Sequence, residues 1–477
     1  MTKSRRLLKA LLAAVVLACG AAVRADDEAD KIEPLPKIGA LPVASERVAR
    51  SGARPLPING KWQHVVTTFD PQECIGPPPG YDHSPEGTPD ASLWDQYHTL
   101  NFRWWATLEY LNWQVRGYEV PALVTSSPAG TPLADAGVLP GATILFGDDI
   151  IEDGERSGGR ARLGWWSVDG QFVGYQAEYF GLERARTEFF AASAFDGDNL
   201  ARPFFNTATG EEDSSLLSGD DVLLGADTFD IDGEISVASE SDIHSVALTR
   251  RHVLWADFER NFRFDWLIGY RYFRLDESLG IVDLVTLNNP SGGPLPPGTQ
   301  VRRTDQFGAV NDFHGGEVGL TGEVLRGRWS VEGMGKLAIG GTHQSVDAFG
   351  TTEVNPGGVL GFTQGPGLGG FLVQPGLNAG HRSRDAFTFI PEAELAIGYQ
   401  VTNQFRLKAG ASVVYVTRVV RPGDQIDAAA DPFQPQLNPT FFPSAGGVPT
   451  GTPAPAAEFA ESYFWMYGLT IGAEYQW

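Results

Sequence analysis

The last sixteen residues constrain the fold more than any other stretch of the chain. From Ser462 to Trp477 they read SYFWMYGLTIGAEYQW. Counting back from the end, Trp477, Tyr475, Ala473, Ile471, Leu469, Tyr467, Trp465 and Tyr463 share one face of an extended backbone. Gln476, Glu474, Gly472, Thr470, Gly468, Met466, Phe464 and Ser462 share the other. Side chains alternate across a strand, so one face is apolar with aromatic ends and the other is mostly small or polar. A strand that crosses a bilayer needs about 9–11 residues and carries its apolar band between aromatic girdles. The segment meets both conditions. An edge strand of a soluble sandwich would alternate in the same way, so the rest of the chain has to decide.

The N-terminus supplies the compartment. Lys3, Arg5, Arg6 and Lys9 form a positive region, Leu7 to Leu17 is a short apolar run, and Val23-Arg24-Ala25 is a small-x-small site before Asp26-Asp27. This pattern predicts a secretory signal peptide over residues 1–25, too short to span a bilayer. Its removal takes away five positive charges and no acid, moving the formal charge from −23 to −28. Cys19 ends the apolar run in Val-Leu-Ala-Cys, a lipoprotein-type arrangement that lacks the usual Leu three residues upstream. After cleavage Cys74 is the one cysteine left, which excludes an intramolecular disulfide in a compartment that would permit one. The sequence holds no run of about 18 apolar residues, so no membrane-crossing helix is expected.

Residues 26–98 are rich in Pro, Gly and charge, with Pro77-Pro78-Pro79, and read as a periplasmic segment of little regular structure. Alternation then defines a barrel domain over 99–477. Phe102, Trp104, Ala106, Leu108 and Tyr110 share one face; Arg103, Trp105, Thr107 and Glu109 share the other. Four hairpins follow: Arg160–Val168 with Gln171–Glu183 around Asp169-Gly170, Ile243–Ala256 with Phe262–Arg274, Phe313–Val324 with Trp329–Gly340 around Arg326-Gly327, and Thr388–Gln400 with Phe405–Thr417. The terminal strand is the tenth. Short turns alternate with long connections over 115–159, 184–242, 275–312, 341–387 and 418–461. Structureless connections of that length are uncommon in compact soluble domains. Around an even number of strands they are the layout of a bacterial outer-membrane barrel. The expected fold is all-β: a transmembrane antiparallel up-and-down β-barrel of about ten strands, with short periplasmic turns and long extracellular loops. Phe229–Val237 offers an additional strand, so twelve stay open. In Ile243–Ala256, Arg251 shares a face with Val253 and Trp255. A charge facing lipid near mid-bilayer costs about 2–4 kcal/mol, so either a bulge shifts the register or Arg251 lies above the hydrocarbon.

The downstream half carries a further signature: Gly369-Gly370-Phe371-Leu372, Asn378-Ala379-Gly380, Arg384-Asp385, Phe389-Ile390-Pro391-Glu392, Gly398-Tyr399-Gln400, and Arg421, Pro422, Gly423, Asp424, Gln425, Ile426 and Asp427 in one run. With Trp104-Trp105, Tyr110 and Pro121-Ala122-Leu123-Val124 upstream, the chain from about Trp94 to Trp477 resembles the type-seven family of beta-barrel porins. The resemblance implies an outer-membrane barrel and brings no substrate with it. Trp477 at the chain end looks like the C-terminal signal that hands such barrels to their assembly machinery.

The face opposite the apolar one carries the candidate pore-lining residues. They are Arg103, Glu109, Arg160, Arg162, Glu178, Arg263, Asp265, Arg271, Glu332, Lys336, Glu392, Glu394, Arg406, Lys408 and Glu474. Neighbouring strands often carry opposite signs. One reading is a charged constriction that selects ions; the other is an internal salt-bridge ladder that fills a narrow barrel. About eight strands are filled by side chains and 16–18 leave an aqueous channel, so ten favours the ladder. The 183–243 connection is strongly acidic, and acidic loops at a mouth attract cations. Asp196-Gly197-Asp198-Asn199 and Asp230-Ile231-Asp232-Gly233-Glu234 are rich in oxygen ligands but match no full calcium loop. Near-GxGxxG at Gly365–Gly370 lacks a strand-to-helix context. His314 and His343 lie near strand ends with Asp312 and Asp347, the seed of a rim hydrolase, yet no nucleophile–base arrangement follows from sequence. The expectation is a porin for small solutes or ions with weak cation preference, with a filled structural or adhesive barrel as the alternative and a rim hydrolase as a lesser one. No enzyme, catalytic residue, cofactor or metal is expected. The expected partners are outer-membrane lipid, the assembly machinery and small solutes or cations; so acidic a chain does not suit nucleic acid. Oligomeric state is not fixed.

Overall fold

The structure is a computed structural model that describes residues 104–167, 172–224, 227–257, 261–288, 296–358, 361, 363–364, 369–430 and 454–477. The expected signal peptide, the 26–98 segment and Arg103 lie outside the described residues. Ten strands form the barrel: β1 (Trp104–Val115), β2 (Gly154–Trp166), β3 (Val173–Ser193), β4 (Asp227–Asp257), β5 (Phe262–Asn288), β6 (Thr299–Arg326), β7 (Trp329–Asn355), β8 (Gly380–Gln400), β9 (Phe405–Val419) and β10 (Ser462–Gln476). Each pairs antiparallel with its neighbour in sequence. The ring closes where β10 meets β1, with Gln476 opposite Trp105 and Met466 opposite Val115. The terminal strand is thus the closing strand, and both ends of the seam carry Trp: Trp104 and Trp477 exchange backbone hydrogen bonds of 3.1 and 3.0 Å. No helix among the described residues is long and apolar enough to cross a membrane.

The alternation read from sequence sets the two faces. Leu469 and Ile471 are 63 % exposed on the outside of β10, while Phe464, Met466 and Glu474 on the same strand are buried inside. The Arg251 conflict resolves by a bulge: the β4–β5 register shifts between Val253 and Trp255. Trp255 turns outward, and Arg251 bonds the lumenal Asp265 at 2.9 Å.

The expected long loops over 184–242, 275–312 and 341–387 are in large part strand. β4 to β7 run for 31, 27, 28 and 27 residues, whereas β1, β2, β9 and β10 have 12 to 15. At about 3.3 Å per residue the tall strands far overshoot an apolar band about 25 Å high. They escaped sequence reading because the polarity of the two faces swaps. In β5, Phe264, Trp266, Ile268, Tyr270 and Tyr272 face out; beyond Tyr272 the inward row includes Phe273, Leu275, Leu279, Ile281 and Leu287, all buried, while Arg274, Asp276 and Ser278 stand outside, followed there by Val282 and Leu284. Phe229–Val237, considered as an extra strand, is the upper end of β4, which leaves the ring at ten.

Above the membrane band the barrel is therefore a tall wall on the β3–β8 side and low on the other. Segments from the β1–β2, β3–β4 and β9–β10 connections pack against its inner face. Five short strands there, Val124–Ser127, Thr143–Phe146, Asn199–Asn206, Glu211–Leu216 and Ala429–Ala430, form a separate sheet. Their side chains join those of the wall in one apolar core that includes Leu123, Leu200, Phe204, Ile235, Val237, Leu279, Ile281, Phe307 and Phe371. The acidic Asp230–Glu234 run lies in β4, and Asp232 accepts hydrogen bonds from the Phe195 amide at 2.9 Å and Asn288 at 2.7 Å.

Candidate functional site

The lumen in the membrane zone is where a pore would have to be. Every described residue of the expected lumenal set does face inward, and the structure joins them into ion pairs. Neighbouring strands supply some: Glu109 of β1 accepts from Arg160 of β2, Arg162 of β2 bonds Glu178 of β3 at 2.5 Å, and Arg406 of β9 bonds Glu474 of β10 at 2.7 Å. Other pairs run straight across the ring. Arg162 reaches Glu394 of β8 at 2.6 Å, and Arg160 reaches the same carboxylate at 2.9 Å. Lys336 of β7 reaches Glu178 of β3 at 2.9 Å, and Arg271 of β5 binds Glu392 of β8. Along the wall, Lys408 and Arg406 of β9 share Glu332 of β7, two strands away, at 2.5 and 3.0 Å. These chords bring facing walls within two side-chain lengths of each other. Arg160, Arg162, Glu178, Arg271, Lys336, Glu392, Glu394, Arg406, Lys408 and Glu474 are all buried.

Sequence reading missed three members. Glu317 of β6 is fully buried and bonds Arg271 at 3.2 Å; Glu323 takes a bond from Arg406; and Arg251 shares Asp265 with Arg263, both at 2.9 Å. Glu317 and Glu323 were findable, because they alternate with Phe313 on the lumenal face of their strand. The periplasmic end is roofed by rings. Trp105 and Trp166 meet with ring centroids 4.8 Å apart and planes tilted by 33°, and the Arg263 guanidinium lies 4.1 Å over Trp166.

Directly above the ion pairs lies an apolar layer. Leu111, Trp113, Phe180, Phe273, Phe313, Ile390, Val414, Phe464 and Met466 come from seven of the ten strands and meet in one buried cluster. Fully burying each such side chain contributes roughly 1.5–3 kcal/mol. Hydration of this level would forfeit that sum.

The signature residues lie higher still, and they fasten the packed segments to the wall. Arg421 grips Glu277 of β5 with two bonds of 2.8 and 2.6 Å, donates to the carbonyls of Arg116 and Gly117 at 3.0 and 2.7 Å, and lies over the Tyr118 ring at 5.0 Å. Pro422 precedes the single turn Gly423–Gln425. A Cβ on Gly423 would stand 2.0 Å from the Glu119 carbonyl, so this position admits no side chain. Gln425 donates to the Ala460 carbonyl at 2.9 Å, and Asp427 accepts the amides of Ala429 and Ala456 at 2.9 and 2.6 Å. Burial pushes the Asp424 carboxyl above its ordinary range. In the Gly369–Leu372 run, the amides of Leu372 and Val373 bond Asp305 of β6 at 2.8 and 2.9 Å, and the Phe371 ring lies beneath Arg202 and Arg303.

The family described as "Putative beta barrel porin-7" matches residues 105–477, the whole of the described barrel but its first residue. The chain belongs to this family. Like other members of the porin-7 family it is thus an outer-membrane barrel. No curated protein matches it. Among solved structures it is similar to the outer-membrane protease OmpT of Escherichia coli, with 10 % identity over 80 % of this chain and 100 % of that one, at a TM-score of 0.33. It is also similar to a TodX monoaromatic hydrocarbon channel mutant, with 10 % identity, 81 % and 94 % covered and a TM-score of 0.20. A Pseudomonas aeruginosa FadL homologue gives 7 % identity, 80 % and 91 % covered and a TM-score of 0.19. Likenesses this distant carry nothing about function.

The rim residues singled out in the sequence take separate partners. Asp312 accepts from the Tyr272 hydroxyl at 2.6 Å and from Arg274, while His314 meets the Tyr270 hydroxyl at 2.5 Å. His343 bonds Asp385, and Asp347 bonds His381.

Proposed function

We propose that this porin-7 barrel is closed to solutes and serves as a rigid membrane pedestal for the β-structure that projects from it. One observation carries the reading: within the membrane zone the lumen is crossed first by chords of buried ion pairs and then by a layer of buried apolar side chains. A cation-selective pore needs a continuous hydrated path and an unbalanced lumenal charge, and the paired network supplies neither. The extracellular side supports the same reading. The family-signature residues hold a folded apolar core against the tall wall, so the outer end is a domain and not a set of loops around a mouth.

Planar-bilayer recording on the refolded chain tests this. The expected record is flat, with no single-channel steps, at both low and high salt. Regular conductance steps from the wild-type chain would overturn the pedestal and restore the porin. Glu394→Gln separates the two mechanisms further. In a pedestal it lowers thermal stability and leaves the bilayer silent; in a pore it shifts the reversal potential.

A further inference from the structure

The outer face of β7 and β8 repeats one pattern on two antiparallel strands. β7 presents His343, Ser345 and Asp347 at alternate positions, and β8 presents His381, Ser383 and Asp385. The register sets His343 opposite Asp385, Ser345 opposite Ser383 and Asp347 opposite His381. The result is a reciprocal patch with a serine pair at its centre and a His–Asp pair on either side. Each imidazole meets its carboxylate through Nδ1, at 2.9 Å for His343 and 2.8 Å for His381. That leaves Nε2 of each ring directed away from the acid. A carboxylate on Nδ1–H fixes the tautomer whose Nε2 takes a proton from a hydroxyl, so each pair is the Asp–His half of the arrangement by which serine hydrolases activate their nucleophile.

The place of the patch selects the substrate. One step toward the periplasm on the same face come Phe387 and Phe389, ring centroids 5.0 Å apart, and Ile339 follows on β7. These exposed apolar residues mark the upper edge of the lipid-facing band. Gly341, next below His343, has no atom within 4 Å of where its Cβ would stand, so the approach from the lipid side is open. The patch therefore stands where the ester linkages of outer-leaflet lipids lie, above the acyl chains and below the bulk solvent.

We propose that this patch is a serine esterase site for acyl-ester lipids. The hydroxyl oxygen of Ser345 or Ser383 attacks the ester carbonyl carbon while its proton passes to Nε2 of one histidine. The tetrahedral intermediate collapses with cleavage of the carbon–alkoxide bond, and that proton passes to the departing alcohol. Water then adds to the acyl-serine by the same route and releases the fatty acid. The inference does not depend on whether the lumen conducts, since it concerns the outside of the wall.

The test uses the full chain folded into phosphatidylethanolamine and phosphatidylglycerol vesicles. A fluorophosphonate probe is expected to form an adduct that maps by mass spectrometry to Ser345 or Ser383, and the vesicles are expected to release free fatty acid. S345A/S383A should abolish both signals, and H343Q/H381Q should slow fatty-acid release by about 100-fold or more. Release of p-nitrophenol from soluble p-nitrophenyl acetate at the same rate as fatty acid from vesicles would overturn the lipid assignment. Absence of adduct at both serines of the wild-type chain would overturn the site itself, and that measurement needs no variant to fold.

Discussion

Arg421 concentrates more contacts than any other single signature side chain: a carboxylate, two carbonyls and two rings. Removing one partner of a buried ion pair leaves a charge without compensation and costs about 3–5 kcal/mol. Arg421→Ala should therefore destabilise the projecting domain by that amount, read as a lower urea midpoint for its unfolding with the membrane strands still protected. Arg421→Lys should recover only part of the loss, because an ammonium cannot make the two-pronged bond to Glu277. On the outside of the wall, above the lipid band, the His244 hydrogen bond and Arg184 hold the Asp242 carboxyl at about 2, below its ordinary value of 3.8. A depressed carboxylate adds stability above its unfolded value and loses it as the pH falls toward the folded one. The wild-type wall should lose that increment between about pH 4 and pH 2, and Asp242→Asn should flatten this part of an acid-unfolding curve. Which lumenal residues exist was legible one at a time, from alternation. Which of them meet was not, because a chord such as Arg162 to Glu394 is set by registers accumulated through the intervening β1, β10 and β9 strands.

At the scale of the strand, the governing feature is the exchange of faces near Tyr272 and Phe273. Below it the apolar residues point to lipid; above it they point to a protein core. A sequence pattern that demands apolar-out ends at that point, which is why the membrane halves of the strands were legible and the upper halves read as loops. Residues such as Ile281 and Val237 were visible as apolar, but nothing local says that their partners are the Leu200 and Phe204 side chains of a distant insert. The exchange makes a paired prediction. Leu469→Arg, outward in the lipid band, should cost about 2–4 kcal/mol in folding into vesicles. Ser278→Arg, outward on β5 above the exchange, should change stability by less than about 0.5 kcal/mol. Urea titrations of the two variants in the same vesicles compare them directly.

At the scale of the whole molecule, the described residues form a closed cylinder that continues past the membrane as a half-wall carrying its own core. Its height is open to direct measurement on intact cells. In a Cys74→Ser background, a membrane-impermeant maleimide should label Ser278→Cys and leave Leu469→Cys unlabelled. If the tall strands instead ended at the lipid boundary, neither position would react from outside. The reach of the sequence at this scale was uneven for a physical reason. Ring closure, strand order and the sidedness of turns follow from local alternation and from the terminal strand. The filled lumen and the packed outer domain depend on contacts between residues hundreds of positions apart.

The exchange of faces also bears on how such a chain reaches its final state. The upper parts of β4 to β7 are polar on the outside and apolar within, so no lipid environment solvates them on the way across. They must traverse the bilayer before the seam between β1 and β10 is sewn, while a gap remains to carry them. Once Trp104 and Trp477 have joined, the route is gone. The pairing of the first and last barrel strands is thereby a one-way latch, and a last strand that paired early would strand the tall wall on the wrong side.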